Sequence, residues 1–108
     1  MGATEEKIGN ERLLDILSRS YEKALKDLNR IDRYLFGDDI AYACEDIYSR
    51  MSNIIKETSS IDGIEEGNTF IKNYIKARNI VLHSTLKEAI DICTKYLKEI
   101  EDEKKLIS

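Results

Sequence analysis

Asn10-Glu11-Arg12-Leu13-Leu14-Asp15-Ile16-Leu17-Ser18-Arg19-Ser20-Tyr21-Glu22-Lys23-Ala24-Leu25-Lys26-Asp27-Leu28 carries the pattern on which the fold turns. Leu13, Leu14, Leu17, Tyr21, Ala24 and Leu28 recur at steps of three and four, and Ile31 and Leu35 continue the series. That repeat marks one face of a helix. Asn10 is a suitable N-cap, with Glu11 in the first turn where a carboxylate suits the helix dipole. Gly37 then closes the helix, because glycine tolerates the positive φ of a helix end.

The same period returns three times. Asp38 or Asp39 offers a cap for a second helix with Ile40, Cys44, Ile47, Met51, Ile54 and Ile55 on its stripe. Residues 58–68 hold two glycines and several turn formers, which reads as a loop. Asn68 or Thr69 opens a third helix with Phe70, Ile71, Tyr74, Ile75, Val81 and Leu82. Leu86, Ala89, Ile90, Cys93, Tyr96, Leu97 and Ile100 form a fourth stripe. Thr85-Leu86-Lys87-Glu88 fits a capping box, which predicts a break near His83–Thr85. No Gly or Pro enforces that break and the apolar phase runs on almost unshifted, as in one continuous helix. No strand alternation and no internal repeat is present.

These stripes predict an all-α, up-down antiparallel bundle of four or five helices. At 108 residues, 42% apolar and 35% charged, the chain suits one core with a solvated exterior. The expected organisation is a frayed N-terminus over 1–9, one helical domain over 10–104 and a tail over 105–108. Tyr34, Tyr42 and Tyr48 fall off the core stripes, so apolar surface is left over for a twofold homodimer.

The net charge of −4 argues against a general nucleic-acid coat protein. No run of about 18 apolar residues exists and the N-terminus lacks the features of a signal peptide, so no membrane partner and a cytoplasmic location are expected. Cys44 and Cys93 read as small core residues, and one histidine cannot build a zinc site alone, so neither a metal nor a cofactor is expected. Glu45-Asp46 reads as a solvated face, Asp38-Asp39 as a cap and not a metal loop, and Glu101–Lys105 as a solvated helix end.

Chemistry concentrates in Arg78-Asn79-Ile80-Val81-Leu82-His83. Histidine is the side chain that titrates near neutral pH without help, and His83 is the only one. From Thr69 to Lys87 there is no Asp or Glu, whereas Lys72, Lys76, Arg78 and Lys87 form a positive island. Such an island attracts phosphate or RNA, and arginine grips phosphate through forked hydrogen bonds. On a continuous helix Asn79 and His83 share a face, while Arg78 lies about 140° away from His83. A helix break at His83 or a twofold axis nearby would bring the two closer. A histidine with no chemical role remains the alternative.

Arg–x4–His with a polar residue after the arginine resembles the signature of the HEPN superfamily (higher eukaryote and prokaryote nucleotide-binding domains). The second helix, from Ala43-Cys44-Glu45-Asp46-Ile47-Tyr48 through Asn53-Ile54-Ile55-Lys56-Glu57, is broadly similar to its counterpart in HepT-type members. Thr85 stands two residues after the histidine, where those members usually have tyrosine. The resemblance implies a dimeric bundle whose Arg/His pairs face one cleft, in a metal-independent endoribonuclease of a toxin–antitoxin or other defence system. Other members bind nucleotides or partner a minimal nucleotidyltransferase antitoxin without cutting. The catalytic residues it implies are Arg78 and His83, supported by Asn79, with Lys72, Lys76 and Lys87 receiving RNA phosphates. A helical interaction protein with no such chemistry is the third expectation.

Overall fold

The structure, a computed structural model, describes residues 2–34, 36–65 and 67–107, with the backbone course alone for residues 2–8 and 34. Four helices follow one another: α1 (Gly2–Tyr34), α2 (Asp38–Ser59), α3 (Thr69–His83) and α4 (Leu86–Ile107). There is no strand among the described residues. Each helix packs on its neighbours in the chain, and α4 closes the ring against α1. Along the α1–α2 seam residues 23–31 face 43–50 and residues 16–24 face 47–57, so the two helices run antiparallel. Side-chain pairs tie the rest of the ring: Ser52 to Arg78, Asn73 to Glu99 and Ser18 to Lys104. The result is an up-down four-helix bundle. Its length of 52 Å is set by the 33 residues of α1.

The apolar stripes meet inside. Leu13, Leu14, Leu17, Tyr21, Ala24, Leu28 and Ile31 of α1 are buried, with Cys44, Ile47 and Met51 of α2, Tyr74, Ala77 and Val81 of α3, and Ala89, Cys93, Tyr96 and Ile100 of α4. Leu35, the last position of the first predicted stripe, lies outside the described residues. Tyr21 and Tyr74 meet edge-on in the middle, with ring centroids 5.1 Å apart. The Tyr74 hydroxyl hydrogen-bonds with Ser20, whereas the buried Tyr21 hydroxyl has no partner among the described residues. Burial pushes both phenols up from the ordinary range and the Cys93 thiol up to about 12.

Helix ends revise several expectations. α1 begins at Gly2, so Asn10 lies within it and is not its cap. The stretch Ala3-Thr4-Glu5-Glu6-Lys7-Ile8 contains no breaker, and helix propensity carries the helix through it. α2 is capped by Gly37 at φ 61°, without a side-chain cap. Asp38 and Asp39 stand in its first turn, where their charges face the helix dipole. α2 runs on to Ser59, with Thr58 buried and donating to the Ile55 carbonyl, so the loop is shorter than its composition suggests. At the far end α4 continues to Ile107 through the expected tail. Lys104 there reaches Ser18 and Asp15 of α1, and Ile107 packs against the core.

Asn68 caps α3, its side-chain oxygen accepting from the backbone N–H of Phe70 and Ile71 at 2.8 and 3.2 Å. The α3–α4 break is real. Ser84 is extended, and Thr85 Oγ1 accepts from the Glu88 N–H at 3.2 Å, the first half of the predicted capping box.

Candidate functional site

α3 sorts its residues by angle. Tyr74, Ala77 and Val81 point inward. Lys72, Lys76, Asn79 and His83 follow at steps of four, three and four, and all are exposed. At about 100° and 1.5 Å per residue these four form one stripe roughly 16 Å long on the side away from the core. His83 ends the helix, in the last turn where a positive charge suits the dipole. Lys87 is exposed in the first turn of α4, just beyond the break.

Arg78 belongs to a different sector. It is half-buried on the flank that faces α2. Its guanidinium carbon sits 4.8 Å from the centre of the Tyr48 ring. Nη1 donates to Ser52 Oγ at 3.1 Å, while Nε and Nη2 both donate to Asn79 Oδ1, at 3.4 and 3.2 Å. The Ser52 hydroxyl in turn donates to the Tyr48 carbonyl at 2.9 Å. Among the described residues these partners of the Arg78 guanidinium are all neutral groups.

The structure therefore brings Arg78 and Asn79 together, and leaves His83 apart. No side-chain hydrogen bond or ion pair joins His83 to either of them among the described residues. Asn79 turns its oxygen to the guanidinium and not to the imidazole, so within one chain it positions the arginine. Because α3 stays helical to its last residue, the break at His83 does not close the angle to Arg78. Lys72 and Lys76 extend the same exposed stripe as His83, whereas Lys87 lies across the turn.

Tyr48 and Ser52 were not candidates on sequence grounds. They lie four apart on α2, so they share a face beside the buried Ile47 and Met51. No spacing along the chain reveals which residue of α3 that face meets.

Open grooves of about 700 and 440 Å³ lie elsewhere, along the α1–α2 seam. Lys23, Ile47 and Arg50 line both. Arg50 is neutralised there by Asp27 and Asp46. The α3 flank holds an arginine whose partners among the described residues include no carboxylate, a property that suits an anion site.

Comparison with protein-family models, curated proteins and solved structures finds no match to this chain.

Proposed function

We propose that this chain is a HEPN-type helical domain that acts on RNA as a homodimer, with Arg78 holding a phosphodiester and His83 moving protons without a metal. The observation that carries the reading is Arg78 itself: a guanidinium fixed by an aromatic face, a hydroxyl and an amide, with its charge unspent. Lys72 and Lys76 on the adjoining stripe, and Lys87 beyond the turn, add attraction for neighbouring phosphates.

One chain offers an anion holder without a base beside it, so the chemistry calls for a second copy. Two α3 helices across a twofold axis would set the Arg78 flank of one copy near the His83 end of the other. A neutral His83 then accepts the 2′-hydroxyl proton and the 2′-oxygen attacks phosphorus. The bond to the 5′-oxygen breaks as a protonated His83 of the opposite copy supplies its proton, leaving a 2′,3′-cyclic phosphate. Arg78 offsets the charge that grows on the phosphoryl oxygens. DNA lacks the attacking hydroxyl. A toxin or defence ribonuclease restrained by a minimal nucleotidyltransferase fits this chemistry.

A second reading is a non-catalytic module that binds a nucleotide or docks such a nucleotidyltransferase. The separation of Arg78 and His83 within one chain favours it.

Incubation with mixed RNA in EDTA separates the two. The ribonuclease cleaves despite the chelator and leaves cyclic phosphate ends. His83→Ala abolishes cleavage, and Arg78→Ala lowers it by about 10²-fold or more. Sedimentation equilibrium is expected to give a dimer, and a monomer at every concentration would end the shared-cleft mechanism. RNA or nucleotide binding without cleavage, lost in Arg78→Ala, selects the binding module. If neither substitution alters any of these properties, the bundle is an interaction protein only.

A further inference from the structure

Resting on the reading of Arg78 as a phosphate holder, we infer that Tyr48 and Ser52 of α2 are positioning residues that set its guanidinium in advance for contact with a phosphate. A guanidinium has five N–H donors. Three are committed: Nε–H and one Nη2–H to Asn79 Oδ1, and one Nη1–H to Ser52 Oγ. Two remain, one on each terminal nitrogen, for the oxygens of a phosphate. The guanidinium carbon stands over the Tyr48 ring, 4.8 Å from its centre, and the ring limits its swing.

Ser52 is prepared for its part. Its hydroxyl proton is given to the Tyr48 carbonyl, so its lone pairs turn toward Arg78 as an acceptor. Tyr48 thus contributes through both ring and backbone, and Asn79 fixes the opposite edge. The cost of ordering a long, flexible side chain is met on folding and not when RNA arrives, which is how preorganisation raises affinity. A carboxylate in place of any of these partners would hold the arginine as firmly and cancel its charge. The three neutral partners hold it and leave the charge available.

The test is binding of a short, labelled, single-stranded RNA oligonucleotide in EDTA, with every protein in a His83→Ala background so that no RNA is cut. Tyr48→Leu is expected to weaken binding by about fivefold and Ser52→Ala by about threefold, with Tyr48→Phe close to the parent because the ring is kept. In an Arg78→Ala background, Tyr48→Leu and Ser52→Ala should have no further effect, a coupling that a merely structural role does not produce. Thermal melts identify folded variants, and Ser52→Ala, the mildest change, carries the test if Tyr48→Leu fails to fold. If Arg78→Ala weakens binding while Tyr48→Leu and Ser52→Ala in the Arg78 protein do not, the positioning role is wrong and the phosphate-holding reading stands. If Arg78→Ala leaves binding unchanged, both fall. Equal losses with and without Arg78 also overturn the positioning role.

Discussion

Arg50 lies against Asp27 and Asp46, and Arg78 against Tyr48, Ser52 and Asn79. The first closes the seam between α1 and α2 with its charge neutralised, and the second meets only neutral groups among the described residues. Gly9 shows a constraint of another kind. A Cβ built there would stand 2.5 Å from the Asp62 carbonyl oxygen, so only glycine lets α1 approach the α2–α3 loop so closely. In an open helix Gly→Ala stabilises by about 0.5–1 kcal/mol. Here the obstacle is backbone, and overpacking of that kind costs about 1–3 kcal/mol. Gly9→Ala is therefore expected to lower stability in urea unfolding, against the trend of helix propensity. A gain in stability would mean that the loop yields freely.

Among the helices, α3 is the one that carries the candidate site. Its N-terminus has no acidic residue in the first turn, so Asn68 supplies the side-chain acceptor for its free N–H groups. Asn68→Ala should cost about 1 kcal/mol of stability in urea unfolding. The absence of acid also keeps the exposed stripe positive from Lys72 to His83. At the C-terminus, Ser84 leaves the helix in extended backbone and Thr85 starts α4. The turn leaves His83 exposed at the tip of the stripe. A continuous helix would instead have carried Lys87 onward in line with α3.

The bundle as a whole buries groups that ionise at high pH. Folding raises the Cys93 thiol from an ordinary 9.0 to about 12 through desolvation, and it raises Tyr21 and Tyr74 in the same direction for the same main reason. Between the unfolded and folded values the unfolded chain holds fewer protons than the native one, so stability falls as pH rises. Thermal melts are expected to show full stability below about pH 9 and a progressive loss from there toward pH 12. The loss through that window should be shallower in Cys93→Ala. Exposed Phe36 and Tyr42, near the α1–α2 turn, and Leu106, near the end of α4, leave apolar surface outside the core.

Helix number, the core stripes, the Asn68 and Thr85 caps and the positive island were legible in the residue order, because each depends on neighbours within a few positions. The start of α1 was not. Asn10 has the chemistry of a cap and Gly9 before it favours a helix end, but the close seat of Gly9 on Asp62, a contact far along the chain, lies within a helix that starts at Gly2. Arg78 and His83 could be named from spacing and charge. That Arg78 turns to Tyr48 and Ser52 while His83 stays on the outer stripe follows from the register of α3 against α2, which depends on how the two helices pack and leaves no mark on either helix read separately.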